Sequence, residues 1–80
     1  MVEEIGRELS PTELNVGMLV VVAPPQKNVY LTMWVSAIDP KTVVFHASAL
    51  NWSVINVVRD DKIFDDKERQ VHVFEYLGDP

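Results

Sequence analysis

The chain has 80 residues, a formal net charge of −5 and no cysteine. A chain of this length forms one domain with one small core, and the lack of cysteine excludes disulfide frameworks, cysteine-based zinc sites and thiol catalysis. The acidic balance argues against a nucleic-acid or membrane-surface partner, because both need a basic protein face to neutralise phosphates.

The N-terminal segment, residues 1–13, is expected to be partly helical or frayed. Acidic residues stand where a secretory signal needs a basic region, so no signal peptide is predicted and a cytoplasmic location is expected. Val2, Ile5 and Leu9 recur at helical spacing and fit either a short amphipathic helix or a frayed terminus. Residues 10–13, Ser-Pro-Thr-Glu, have the composition of a capping box with proline at the first helical position, which predicts one helical turn.

The remainder, residues 14–80, is predicted to be a single small β-barrel domain. Fourteen valines, with Ile, Thr and aromatic residues, form clusters that suit a pleated surface and are separated by turn residues. The predicted strands cover residues 17–23, 29–38, 42–49, 54–59 and 69–77. The predicted breaks are Pro24-Pro25, the turn Asp39-Pro40-Lys41, the loop 50–53 and a charged loop 60–68. The expected fold is all-β: a five-stranded small barrel or a strongly twisted meander sheet, with a short N-terminal helical turn.

The start of the first predicted strand has a family resemblance. Its sequence is Leu14-Asn15-Val16-Gly17-Met18-Leu19-Val20-Val21-Val22. It resembles the opening of SH3-like small barrels of the Tudor and KOW kind, in which a turn and a glycine precede a valine-rich strand and further short strands follow. The resemblance implies an SH3-like barrel over residues 14–77, but it implies no site residues, because such barrels host many unrelated functions. The basic residues usual in the ribosomal and transcription-type members are missing, which again argues against nucleic-acid binding.

Charge is distributed unevenly along the chain. Residues 16–58 contain three formal charges, at Lys27, Asp39 and Lys41, whereas the other residues carry sixteen. Because charged side chains normally cover about a quarter to a third of a soluble domain's surface, this neutral middle would expose a sticky patch unless a partner buried it.

Aromatic side chains mark the candidate partner-binding residues. Alternation along the second predicted strand puts Tyr30 and Trp34 on one side, and the third strand puts His46 on its outward side. The register of the hairpin between them stays open. A two-residue loop would place Trp34 on the face of Phe45, whereas a three-residue loop would pair Ser36 with His46 and leave Trp34 outward. Trp52 falls in a predicted loop, either as a plug over one barrel end or as a loop-borne anchor for a ligand or partner.

Catalytic and metal sites are not predicted. The serines lack a Gly-x-Ser-x-Gly elbow, and the two histidines, His46 and His72, have no metal-ligand spacing. The acidic loop residues are Asp60, Asp61, Asp65 and Asp66. Their stretch lacks the central glycine and terminal glutamate of a calcium loop. We expect no enzyme activity, no metal and no cofactor.

The sequence therefore favours a non-catalytic protein–protein interaction module, expected to form a homo-oligomer through a charge-poor aromatic surface. One alternative is a small acidic inhibitor, of the kind that viruses use against host defence enzymes, whose acidic loop would cover a basic nucleic-acid-binding surface. Another is a barrel that binds a small molecule or nucleotide with Trp34 or Trp52.

Overall fold

The computed structural model describes residues 5–26 and 28–78. The described chain is all-β, as predicted, and its elements form one antiparallel sheet. The strands are β1 (Ile5–Glu8), β2 (Leu19–Ala23), β3 (Leu31–Asp39), β4 (Thr42–Ala47), β5 (Trp52–Arg59), β6 (Lys62–Phe64) and β7 (Gln70–Tyr76). Two single 3₁₀ turns, Pro11–Glu13 and Ser48–Leu50, join β1 to β2 and β4 to β5.

Hydrogen bonding closes the sheet into a barrel-like ring. The strand order is β1-β7-β2-β3-β4-β5-β6, and a further pairing joins β6 to β7. On the side of β7 away from β2, two short strands follow one another: β6 pairs Ile63 with Val71, and β1 pairs Ile5 with Tyr76. The closed ring therefore consists of strands β2 to β7. Strand β1 lies outside the ring and pairs with the C-terminal half of β7, next to the short strand β6.

The core fills the inside of this ring. Val20 and Val22 of β2 point inward together with Val35 of β3 and Phe45 of β4, and each is buried. The complete buried cluster is Leu9, Leu14, Val20, Val22, Met33, Val35, Val43, Phe45, Ala47, Ile63, Val71 and Val73. Valine-rich alternation thus produces one packed inner face, as the pleat of a strand requires.

The seven strands correct the prediction of five, and the first additional strand lies at the N-terminus. Ile5 is in β1, so the helical alternative suggested by its spacing with Leu9 is wrong, and Val2 lies outside the described residues. The reason is tertiary. Strand β6 is only three residues long, so the C-terminal half of β7 needs another hydrogen-bonding partner, and β1 provides it.

The capping box is present, because the Ser10 backbone N–H donates to Glu13 Oε1 at 2.8 Å.

The second additional strand, β6, lies within the predicted charged loop 60–68. Asp60 and Asp61 both adopt left-handed backbone, with φ of +55° and +60°. Two successive residues with positive φ form the tight turn whose twist matches that of a β-hairpin. The chain therefore reverses within two residues, and Lys62 pairs with Arg59 at the start of β6.

The β3–β4 hairpin combines the two registers that the sequence left open. Its loop has two residues, since Asp39 pairs with Thr42. A bulge at Ser36 then shifts the pairing, so that Trp34 lies opposite His46 and Val35 opposite Phe45. The short loop therefore does not turn Trp34 onto the face of Phe45, because the extra residue of the bulge restores its outward orientation.

Candidate functional site

The outward sides of β3, β4 and β5 form a continuous surface that we call the outer face. Directly opposite residues in a sheet share a face, so the cross-strand pairs define its rows. With histidine neutral, its uncharged members are Trp34, Ala37, Thr42, Val44, His46, Ser53, Ile55 and Val57. The one formal charge in these rows is Asp39, which ends the row of Thr42 and Val57 at the β3–β4 turn. The outer face is thus the structural counterpart of the neutral middle of the sequence.

One end of the outer face is a polar aromatic cluster. The rings of Trp34 and His46 meet edge to face with centroids 5.5 Å apart, a geometry that aromatic pairs prefer. Trp34 Nε1 donates to Ser48 Oγ at 3.1 Å, and His46 Nδ1 shares a hydrogen bond of 2.7 Å with Ser53 Oγ. Both rings are half-buried and held in place by these bonds, so little side-chain entropy remains for a partner to remove on binding.

The other end of the outer face is aliphatic and more exposed. Ile55 is 64% exposed and Val57 is 41% exposed. Leu19 of β2 pairs with Trp34 on one flank, and Phe64 of β6 pairs with Val57 on the other. The apolar surface therefore extends over five neighbouring strands.

Charged residues lie around the rim of the outer face. Asp39 marks the β3–β4 turn, where its carboxylate accepts hydrogen bonds from the backbone N–H groups of Lys41 and Thr42 and from the Thr42 hydroxyl. These bonds lower the pKa of Asp39, with the Thr42 hydroxyl as the largest cause. At the same end of the strands the Arg59 guanidinium lies 4.3 Å from the centre of the Phe64 ring. An apolar centre with a polar rim is typical of protein interfaces.

The four predicted partner-binding residues do not form one site. Trp34 and His46 lie together on the outer face. Tyr30 comes just before β3 and is 53% exposed. The predicted loop 50–53 ends at Asn51, because Trp52 is already the first residue of β5. Trp52 points to the inner side of its strand, beside a cavity at one end of the barrel. The sequence did not identify Ile55 and Val57 as outward residues, because polar Asn56 lies between them and polarity alone favours an inward position for both apolar side chains.

The acidic residues of 60–68 separate into two groups at the two ends of β6. Asp60 and Asp61 form the β5–β6 turn, whereas Asp65 and Asp66 follow β6. Asp65 is structural: its carboxylate accepts hydrogen bonds from the backbone of Lys67 and Arg69 and from Arg69 Nε at 2.9 Å. Its pKa is lowered, chiefly by the Arg69 backbone N–H. A partner would therefore meet two small acidic turns rather than one acidic loop.

The His46 Nδ1 and Ser53 Oγ atoms are 2.7 Å apart, the contact distance of a base and a nucleophile, and the pair lies on the outer face of the sheet. Within residues 5–26 and 28–78, no three His, Asp or Glu side chains come together as a metal site needs.

Comparisons with known proteins identify no relative: no family model, no curated protein and no solved structure matches this chain. No helix in the described part of the chain has the length and apolar character to cross a membrane.

Proposed function

We propose that this chain is a non-catalytic protein–protein interaction module of the cytoplasm that self-associates through its outer face. The observation that carries the proposal is the uncharged surface centred on Ile55 and Val57, in a chain whose net charge is −5. Burial in a partner stabilises contiguous apolar surface of this kind.

The neutrality of the outer face supports a second copy as its partner. In a two-fold dimer each copy presents the same patch to the other. Two neutral faces bring no unpaired charge into the contact, so association avoids the desolvation penalty of buried ions. The half-buried Trp34 would add an aromatic anchor of the type enriched at interface centres.

The size of the outer face supports a weak and reversible dimer. Strands lie about 4.8 Å apart and residues advance about 3.3 Å along a strand, so three strands over about six residues cover roughly 300 Å². Two such faces would bury about 600 Å² in total, which is below the range of stable interfaces and typical of weak, transient ones. We therefore expect association at micromolar to millimolar concentration.

We also propose that the barrel is of the SH3-like type. Its support is the turn at Val16-Gly17, with Gly17 at φ of +91° directly before the valine-rich strand β2. Such barrels host many functions, so this assignment agrees with an interaction module without requiring one.

The test is the concentration dependence of molar mass. Size-exclusion chromatography with light scattering is expected to show a rise from monomer towards dimer as the chain is concentrated. Ile55→Lys is expected to weaken association by at least tenfold, because it would place two ammonium groups in the contact. A strictly monomeric wild-type protein at millimolar concentration would refute the proposal.

A matched control separates the outer face from exposed apolar surface in general. Leu77 is 57% exposed, close to the value for Ile55, and lies just beyond β7. Leu77→Lys is expected to leave the dimerisation constant unchanged. Equal effects of the two variants would mean that the association is non-specific.

A further inference from the structure

A cavity of about 190 Å³ opens at one end of the barrel. It lies on the inner side of β5, whereas the outer face uses the other side of that strand. Its walls are mainly apolar and include Leu31, Met33, Trp52, Val54 and Val71. An enclosed apolar cavity of about 150 Å³ holds one benzene molecule, so this larger, partly open space has room for a molecule of one or two small rings.

Asn56 gives this cavity a specific polar feature. It occupies an inward position of β5, lines the cavity and is only 3% exposed. Its Nδ2 donates to the carbonyl oxygen of Phe64 at 3.3 Å. Because that carbonyl can only accept, the amide orientation is fixed, and the other end of the amide is Oδ1.

The Asn56 oxygen is a buried acceptor that lacks a donor. Among the described residues it is the single buried side-chain oxygen or nitrogen without a hydrogen-bond partner. Leaving a buried polar atom unpaired is costly, and Oδ1 is closed off from bulk water. A donor inside the barrel would therefore recover this cost.

The mouth of the cavity is already ordered. Trp52 lines the cavity while remaining 44% exposed, so its ring lies between the cavity and solvent. On the facing side, the Asp65 backbone N–H donates to the carbonyl of Arg69 at 2.9 Å, and Asp65 and Arg69 form an ion pair at 2.9 Å. Asp66 also lines this rim, so its formal charges sum to −1, which disfavours an anionic ligand, and the apolar walls disfavour an ion of either sign.

We propose that this end of the barrel binds a small, planar, uncharged ring compound that carries one N–H donor. The ring occupies the apolar cavity against Trp52, and its N–H donates to Asn56 Oδ1. The site is independent of the outer face, so it stands or falls separately from self-association.

A pair of probes with the same shape tests the assignment in the full chain. Indole carries an N–H in its five-membered ring, and benzofuran has an oxygen in the same place. Each is titrated into ¹⁵N-labelled protein while the side-chain signals of Trp52 and Asn56 are followed. Indole is expected to give saturable shifts at both side chains and to bind about fivefold more tightly than benzofuran, which is the contribution of one hydrogen bond.

Variants separate the two parts of the site. Asn56→Leu keeps the apolar volume and removes the acceptor, so indole and benzofuran are expected to bind it equally. Trp52→Ala is expected to weaken both probes, whereas Ile55→Lys, on the other side of β5, leaves both affinities unchanged.

Three results would overturn the proposal. The first is the absence of saturable shifts at Trp52 and Asn56 with either probe. The second is equal binding of both probes to the wild-type chain, a result that does not depend on whether Asn56→Leu folds. The third is an ordered water on Asn56 Oδ1 that stays in place at saturating indole.

Discussion

Glu13 accepts bonds from two neighbours at the point where the chain passes from β1 to β2. Arg7 Nη2 donates to Glu13 Oε2 at 2.6 Å, and the Ser10 backbone N–H donates to Oε1 at 2.8 Å. These bonds, with Arg7 the largest cause, lower the pKa of Glu13 from 4.5 to about 2. A single carboxylate thus ties the capping box of the first 3₁₀ turn to β1.

The first prediction follows from this shift. Because the folded-state pKa is the lower one, the stabilisation by ionised Glu13 is complete above pH 4.5 and is lost as the pH falls towards 2. The difference in stability between wild type and Glu13→Gln is therefore expected to shrink over that interval. Urea unfolding followed by circular dichroism, at a series of pH values from 7 to 2, measures it.

Arg7→Met provides the control for this prediction. It removes the main cause of the pKa shift and leaves the Glu13 carboxylate in place. The difference in free energy of unfolding between Arg7→Met and wild type is expected to shrink as the pH falls from 4.5 towards 2. Parallel stability curves for wild type and Glu13→Gln would contradict the role assigned to the ion pair.

At the scale of elements, the bulge at Ser36 decides which residues form the outer face. The pairs on its two sides are Ala37 with Val44 and Val35 with Phe45. Ser36 is thus the one residue of β3 between Trp34 and Asp39 that has no partner in β4. Without such an extra residue, a strand keeps strict alternation.

This arrangement predicts the outcome of two deletions. Deleting Ser36 leaves both neighbouring pairs in register, so the variant is expected to fold and to retain the contact between the Trp34 and His46 rings. Its free energy of unfolding is expected to fall by about 1–2 kcal/mol, because the bend at the bulge is lost. Nuclear Overhauser contacts between the two rings and urea unfolding check this.

Deleting Val44 is the matched comparison on the partner strand. Val44 is paired on both sides, with Ala37 and with Ile55. Its loss shifts buried Phe45 to an outward position, because one residue of slip exchanges the two faces of a strand. This variant is expected to lose its dispersed amide spectrum. A folded Val44 deletion, or an unfolded Ser36 deletion, would mean that the register is set elsewhere.

Sequence patterns predicted the elements that local chemistry determines. The valine-rich strand β2, the turn at Asp39 and the capping box at Ser10 all follow from residue types that act on their neighbours in the chain. The pairing of β1 with β7 was missed, because Ile5 meets Tyr76, which lies at the other end of the chain, and helical spacing carries no information about such a partner.

The inward position of Asn56 shows the same limit within the candidate ligand site. Polarity favours an outward position for asparagine and an inward one for Ile55 and Val57. The ladder with β4 reverses this, since Asn56 pairs with buried Val43. Only the register of the complete sheet separates the cavity side of β5 from its outer side.

At the scale of the whole molecule, net charge and the neutral outer face act in opposite directions on association. Each copy carries −5, so two copies repel at long range, while the contact itself would bury no formal charge. Raising the salt concentration from 50 to 500 mM is therefore expected to strengthen dimerisation severalfold, because screening removes the repulsion. Sedimentation equilibrium at both concentrations measures this.

The direction of this salt effect distinguishes the functional alternatives. An acidic inhibitor that covers a basic surface would bind its partner less tightly as salt screens the attraction. Dimerisation that weakens at high salt would point to a contact between unlike charges, and so away from the outer face.

The direct pairing of Ile5 with Tyr76 brings the first and last described strands side by side. Opposed residues of an antiparallel ladder are separated by about 5 Å, a gap that a short glycine-rich linker spans. The chain is consequently suited to circular permutation, with new termini opened in the exposed two-residue turn at Pro40-Lys41. Such a permutant would keep every strand of the ring while moving the ends of the polypeptide to the rim of the outer face, where a fused reporter would sense the approach of a second copy.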